Sequence, residues 1–394
     1  MLKYAGGNRL TLLRNGEQYF PELVRAMDAA VREIYLETYL FADDQTGSLV
    51  ADALARAAVR GVAVCLLLDG FGARDFAPRF REMLQGAGVR ILMYRPDISP
   101  WRMRRNRLRR MHRKLACADD SVAFVGGINV IDDFDTPGQT PPRYDYAVKI
   151  EGPLSAAVRA EAIRLWSRVA WANLGQRWPG FEFLTGRRGR GTMQAPGLRS
   201  GNQRAALVVR DNVRHRRDIE HAYHELIDAA REEVLIACAY FFPGRRFRQA
   251  LARAAARGVR VRLLLQGKVE YVLLHYASRA LYGALLEAGI EIHEYHKSFM
   301  HAKVAVFDRA RASVGSSNID PFSLLLAREA NVFVDDARFA TELRTSLEEA
   351  MAYGARALAP QQWKGQPLGL RVRTWIAYGL ARLLVAFFGP DCAY

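Results

Sequence analysis

His112-Arg113-Lys114-Leu115-Ala116-Cys117-Ala118-Asp119 and His301-Ala302-Lys303-Val304-Ala305-Val306-Phe307-Asp308 share one pattern, H-x-K-x4-D. After each Asp come six residues and then a Gly-led tetrapeptide ending in Asn: Gly126-Gly127-Ile128-Asn129 and Gly315-Ser316-Ser317-Asn318. A single H-x-K says little. Two copies with the same internal spacing imply one site assembled from two halves, with paired His, Lys and Asn side chains. One residue between His and Lys puts both side chains on the same face of a strand. Val304-Ala305-Val306-Phe307 supports a strand after Lys303. The Gly-rich turn that follows lets backbone N–H groups approach an anion.

The repeat extends beyond the motif. Ala26-Met27-Asp28-Ala29-Ala30-Val31-Arg32-Glu33 leads into Ile34-Tyr35-Leu36-Glu37-Thr38-Tyr39, and Leu226-Ile227-Asp228-Ala229-Ala230-Arg231-Glu232-Glu233 leads into Val234-Leu235-Ile236-Ala237-Cys238-Ala239. Each reads as an amphipathic helix followed by a buried strand. An Ala/Arg helix and a Gly stop follow in both copies, at Gly61 and Gly258, where a left-handed cap suits glycine. Apolar strands then alternate with helices, which predicts α/β halves with largely parallel sheets covered on both faces. The halves run over 1–175 and 203–360, joined by a Gly/Arg/Pro-rich linker over 176–202, with a separate C-terminal segment over 361–394.

Two stretches stand apart. Pro96 to Arg113 carries Trp101, Met103 and many arginines and runs into His112, so it reads as a basic, aromatic-tipped lip beside the site. The segment from Leu370 to Phe388 sets Trp375, Tyr378, Phe387 and Phe388 among Arg371, Arg373 and Arg382. That mixture suits a helix lying in a membrane interface; the other reading is a terminal helix packed on the second half. With Arg382 inside it, the segment is short and charged for a span.

The paired residues suit displacement at a phosphodiester. Charge develops on the phosphate oxygens during transfer, and Lys114 and Lys303 are placed to stabilise it. Asn129, Asn318, Gly126 and Ser316 are the expected phosphate-binding groups. One imidazole can attack phosphorus while the other protonates the leaving alkoxide, and the roles reverse in the second step. Each histidine needs a partner on its other nitrogen, and Asp145 and Glu329, downstream of the two motifs, are the candidates. Asp119 and Asp308 complete the motif set, read as ending its strand and anchoring a turn. No Asp/Glu/His cluster has metal-ligand spacing, so neither metal nor cofactor is expected. Glu37, in the strand where the second half has Ala237, is a candidate for the acceptor's hydroxyls. His293, Tyr295 and His296 are candidates for the pocket border.

The 394 residues give room for two domains with their own cores, and the formal net charge is +16. Such an excess favours polyanions, either nucleic acid or an anionic membrane surface. Four scattered cysteines without CxxC spacing suggest reduced thiols. The N-terminus lacks the apolar core of a signal peptide.

The doubled H-x-K-x4-D with G-[GS]-x-N resembles the phospholipase D superfamily, and the likeness covers nearly the whole chain. Within that superfamily the layout is most similar to bacterial cardiolipin synthases of the shorter type without N-terminal transmembrane helices. Phe124-Val125-Gly126-Gly127-Ile128-Asn129, Glu151-Gly152-Pro153, Tyr240-Phe241-Phe242-Pro243 and Ser317-Asn318-Ile319-Asp320-Pro321 carry this finer likeness. The resemblance implies two phospholipase D-like α/β/α sandwich halves with pseudo-twofold symmetry and an active site at their interface. It implies a phosphohistidine intermediate, with His112 as nucleophile and His301 as acid and base; the residues alone leave the two histidines equal. It also implies transfer of a phosphatidyl group from one phosphatidylglycerol to another, giving cardiolipin and glycerol. The expected setting is peripheral, on the cytoplasmic face of the cell membrane, with anionic phospholipid and not nucleic acid as partner. The competing reading is a phosphodiesterase or nuclease that uses the same site with water as acceptor. The aromatic C-terminus, the Trp101 lip and the local motifs favour lipid.

Overall fold

The computed structural model describes residues 2–96, 109–136, 140–173, 200–365 and 367–388. The core of the expected lip, with Trp101, and nearly all of the expected linker lie outside these residues.

The first half runs β1 (Ala5–Arg14), α1 (Asn15–Ala29), β2 (Glu33–Thr38), α2 (Gln45–Val59), β3 (Ala63–Asp69), α3 (Pro78–Gly86), β4 (Arg90–Tyr94), β5 (Lys114–Ala118), β6 (Val122–Gly126), β7 (Tyr146–Glu151) and α4 (Pro153–Ala172). The second half repeats the order. It runs β8 (Gln203–Arg210), α5 (Asp218–Ala229), β9 (Glu233–Cys238), α6 (Arg245–Ala256), β10 (Arg260–Gln266), α7 (Val272–Arg279), α8 (Tyr282–Glu287), β11 (Glu291–Tyr295), β12 (Lys303–Phe307), β13 (Arg311–Gly315), α9 (Pro321–Leu325), β14 (Glu329–Asp335) and α10 (Ala337–Gly354). Then come β15 (Ala355–Ala357), α11 (Pro360–Lys364) and α12 (Leu368–Phe388).

The strands form one sheet in the order β15-β11-β10-β9-β12-β13-β14-β8-β1-β7-β6-β5-β2-β3-β4. Apart from β15 at the edge, that order is the same read from either end when β1–β7 are matched to β8–β14. The repeat in sequence is thus a pseudo-twofold in the sheet, and the antiparallel pairing of β1 with β8, Ala5 opposite Ala205, joins the halves. Helices α1 to α3 cover one face of the first half, with a core that includes Phe20, Met27, Leu54 and Phe80. A second core, with Ile227, Phe247, Leu251 and Leu285, lies under the corresponding helices of the second half. The third core draws Val148 and Trp166 from the first half together with Val332 and Leu343 from the second. The halves therefore share a core, and the cleft between them opens onto buried, fixed surfaces.

The expectation of largely parallel sheets is corrected. Among the described strands only β2-β3-β4 and β9-β10-β11 run parallel. Strands β5, β6 and β7 and their counterparts pair antiparallel. A short turn rather than a crossover helix links β5 to β6, and a short turn forces antiparallel pairing. The misreading has a physical source: an antiparallel strand buried on both faces is as continuously apolar as a parallel one, and β5 is buried along its whole length.

The C-terminal helix α12 packs on α7. Thr374, Ala377 and Ala381 are buried against the second half, while Val372, Trp375, Ile376, Leu380 and Leu383 are exposed. The helix is therefore both docked and apolar on its outer side. Among the described residues no helix is long and apolar enough to cross a membrane.

Candidate active site

Two short ribbons bring the site together. Before β5, the His112 N–H donates to the Arg328 carbonyl at 3.0 Å and the Arg328 N–H donates to the Arg110 carbonyl at 2.7 Å. Before β12, the His301 N–H donates to the Tyr144 carbonyl at 2.8 Å and the Tyr144 N–H donates to the Phe299 carbonyl at 2.8 Å. Each H-x-K segment is thus paired with the residue that precedes the carboxylate of the other half. The side chains follow. His112 Nδ1 lies 3.0 Å from Glu329 Oε1, and His301 Nδ1 lies 2.7 Å from Asp145 Oδ2. The carboxylates cross between halves.

Glu329 is fully buried, and Asp145 nearly so. The two imidazoles keep 18% and 16% of their side-chain surface exposed, enough to present one nitrogen to the cleft. Burial, with Lys114 adding repulsion, lowers the pKa of His112 against the pull of Glu329. Burial and Lys303 take His301 down to about 3 despite Asp145. Both imidazoles are therefore neutral in the empty site at neutral pH. A carboxylate on Nδ1 then fixes the tautomer: the proton sits on Nδ1 and the lone pair of Nε2 faces outward. Burial opposes ionisation of Asp145, yet Lys303 and His301 together hold it below the usual carboxylate range.

The lysines lie beneath the imidazoles. Lys114 Nζ donates to the His112 carbonyl at 2.6 Å, and Lys303 Nζ donates to the His301 carbonyl and lies 3.5 Å from Asp145. Burial pulls Lys114 down to about 7, with Lys303 adding repulsion and Glu329 opposing. Burial opposes the charge on both lysines, and an anion held between them would favour their protonated form. Asn129 Oδ1 accepts from the Leu40 N–H at 3.2 Å, which leaves its Nδ2 for a ligand. Asn318, also buried, keeps its Oδ1 4.0 Å from Cys238 Sγ. Aromatic rings wall the cleft. Tyr39 meets His112 edge-on at 5.1 Å, Phe299 stacks on His301 at 6.2 Å, and Tyr240 meets His301 edge-on at 6.4 Å. Tyr39 escaped the sequence reading, although it directly follows β2 at the strand end that carries the site.

Several expected roles are corrected. Ser316 is completely buried and its hydroxyl donates to Glu329, so it supports a carboxylate rather than a phosphate. Gly126 ends β6 against β7: a Cβ there would lie 2.5 Å from Ala147 Cα, so its small size serves strand packing. Asp119 and Asp308, grouped with the motif's catalytic set but read as turn anchors, are turn anchors and do not reach the cleft. They stand past the far ends of β5 and β12, about 16 Å from the lysines at 3.3 Å per residue. Asp119 accepts from the N–H groups of Val31, Arg32 and Glu33 at 2.9 to 3.2 Å. Asp308 accepts in the same way from Arg231, Glu232 and Glu233. Both hold a helix–strand turn, with φ of 55° and 51°, a left-handed conformation that Asp tolerates. Glu37 is not an acceptor group either: it is buried in a bidentate pair with Arg113. Tyr295 is buried and stacks on Tyr144, while His293 and His296 lie near Glu291 and Glu294 instead of the cleft.

Two pseudo-symmetric α/β/α halves that share one pair of imidazoles and one pair of lysines define a phospholipase D-like phosphoryl-transfer fold. The family model described as "Cardiolipin synthase, PLD-like domain" matches residues 23–159 and again 223–351. Cardiolipin synthase B of Escherichia coli K12 is 37% identical over 391 residues, covering 97% of this chain and 87% of that protein. Cardiolipin synthase 1 of Bacillus cereus is 29% identical over 355 residues, covering 88% and 68%. The crystal structure of phosphatidylserine synthase from Haemophilus influenzae Rd KW20 superposes with a TM-score of 0.68 at 12% identity over 95% of this chain and 94% of that one, a likeness of fold. The chain belongs to the phospholipase D-like cardiolipin synthase family.

Proposed function

We propose that this protein is a phosphatidyltransferase that makes cardiolipin and glycerol from two molecules of phosphatidylglycerol. The observation that supports it most is the pair of neutral imidazoles, each held by a carboxylate of the opposite half above a buried lysine. The anionic phosphodiester binds between the imidazoles, with Lys114, Lys303, Asn129 and Asn318 around its oxygens. Its negative charge raises the pKa of the adjacent histidine, so that His301 takes up the proton it lacks in the empty site. The His112 Nε2 lone pair attacks phosphorus. The bond from phosphorus to the glycerol headgroup oxygen breaks, and His301 gives its proton to that oxygen. Glycerol leaves and a phosphatidyl group remains on His112. A glycerol hydroxyl of the second phosphatidylglycerol then gives its proton to neutral His301 and attacks phosphorus, and the bond to His112 breaks. Neither half alone can orient either histidine.

The protein works as a peripheral protein on an anionic membrane, on its cytoplasmic side. Trp375, Ile376 and Leu383 on the outer side of α12, between exposed arginines, suit the headgroup boundary. The buried free thiols of Cys65, Cys117 and Cys238 accord with a reducing compartment. The test is mass spectrometry of the products from mixed phosphatidylglycerol and phosphatidylethanolamine vesicles. Cardiolipin with released glycerol is expected. Phosphatidic acid alone would make water the acceptor, and no lipid product would refute the reading.

A further inference from the structure

Directly behind the catalytic ribbon lies a second, strongly basic cavity of about 320 Å³, between α4 and the end of β8. Strand alternation places it there. Arg113 stands between His112 and Lys114, so its side chain leaves the opposite face, where it donates to the Glu161 carbonyl of α4 at 3.1 Å. Arg328 stands one residue before Glu329 and likewise faces away from His112, into the cavity. Arg168, Arg210 and Arg214 complete the basic wall.

Not all of this charge is answered. Arg113 is paired with Glu37, and Arg168 lies 3.9 Å from Asp211. Arg210, only 3% exposed, donates to the carbonyls of Leu324 and Ala327 and to Asn212 Oδ1, none of them a carboxylate. Arg328 donates to the Tyr94 hydroxyl at 3.2 Å. Burial draws Arg210 down to about 10 against the pull of Glu329 and Asp211, with Arg328 and Arg109 adding repulsion. Six arginines against the carboxylates of Glu161 and Asp211 line this cavity, an excess of positive charge that a bound anion would offset.

The pseudo-twofold supplies a comparison within the chain. Tyr144 occupies the place of Arg328, since each carbonyl accepts from the catalytic histidine of the other half. Ala302 occupies the place of Arg113. On that side the space is filled: Tyr144 and Tyr146 share a hydrogen bond of 2.5 Å, both reach Ser346, and Tyr144 stacks on Tyr295. One fold position is closed with tyrosines in one half and left open among arginines in the other. Catalysis through two equivalent histidines does not require that difference.

We propose that this cavity is a second phosphate-binding site, distinct from the catalytic cleft, which takes a phosphate mono- or diester between Arg210, Arg328, Arg168 and Arg214. Guanidinium forks match phosphate oxygens in pairs. The volume falls at the lower end for small-molecule sites, about 300 Å³ and upward, which suits a headgroup-sized ligand rather than a nucleotide. The assignment does not depend on which lipids the enzyme joins.

The test is equilibrium dialysis of the full chain with labelled inorganic phosphate. Two phosphates per chain are expected, one in the catalytic cleft and one here. Arg168 and Arg214 are exposed enough for Arg168→Glu/Arg214→Glu to fold, with thermal unfolding as the check. That variant should keep the cleft phosphate and weaken the other by at least about tenfold. Lys114→Ala/Lys303→Ala should do the converse. A single phosphate per chain in the unmodified protein, or two undiminished phosphates in the arginine variant, would overturn the proposal. Adding phosphatidylglycerol vesicles identifies the source: displacement of the second phosphate means a lipid headgroup, and retention means a soluble phosphate ester.

Discussion

The two halves hold their carboxylates with different side-chain sizes, and that difference can be tested by exchanging them. In the second half Ser316 sits beside the longer Glu329 and donates to it. In the first half the same position is Gly127, beside the shorter Asp145. A Cβ on Gly127 would lie 2.3 and 2.4 Å from the Asp145 carboxylate oxygens, inside any tolerable contact. Gly127→Ser should therefore push Asp145 off His301 Nδ1, which it now meets at 2.7 Å. A hydrogen bond to a charged group contributes about 1.5–3 kcal/mol. If that stabilisation is felt in the transition state, the rate falls by roughly 10- to 150-fold, at 1.36 kcal/mol per decade. Asp145→Glu alone should also slow turnover, because one more methylene moves the carboxylate from the position that now meets His301 Nδ1 at 2.7 Å. Gly127→Ser/Asp145→Glu rebuilds in the first half the pair already present in the second, and should recover part of the loss. The assay is cardiolipin formation on phosphatidylglycerol vesicles, with thermal unfolding to separate misfolding from misorientation. Full activity in Gly127→Ser, or a double variant no better than the product of the single losses, would refute the reasoning.

Three other outcomes follow from the same geometry. Glu37→Ala leaves Arg113 buried without its partner, and breaking such a pair costs about 3–5 kcal/mol; a change below about 1 kcal/mol in denaturant unfolding would contradict this. The pH profile of kcat/KM should have its acid limb below 6.5, because the attacking imidazole of His112 is depressed by burial and must be unprotonated. Its alkaline limb should fall near 7, as Lys114 loses its proton, and Lys114→Arg should flatten that limb; an acid limb at 6.5 or above would show that His112 is not desolvated. Deletion of 368–394 should reduce flotation with anionic vesicles by more than it lowers the unfolding midpoint, and unchanged flotation would mean that α12 serves packing alone.

Much of this was legible in the chain because the repeat is legible. Equal spacing in 112–129 and 301–318 gave the pairing of His112, Lys114, His301 and Lys303 in one cleft. The direction of β5 to β7 was not legible, because burial on both faces removes the alternation that marks an antiparallel strand. Nor was the crossing of Asp145 and Glu329: spacing along the chain is the same whether a carboxylate serves its own half or the other. Only the backbone bonds at Arg328 and Tyr144 decide it. Ser316 was misread for a related reason. A hydroxyl in a Gly-rich turn looks like a phosphate ligand until the carboxylate behind it is visible. Glu37 was misread because its partner Arg113 lies far away in sequence, inside the motif itself.

The crossed carboxylates also bear on the newborn protein. While the chain is being made, His112 emerges long before Glu329. Until the second half has been synthesised and has closed on the first, His112 has no partner on its ring nitrogen, and His301 does not exist. An unfinished or prematurely released chain therefore carries no oriented nucleophile and cannot cut the lipids around it. Activity begins only when the last strands of the second half are in place, so turnover itself certifies that folding is complete.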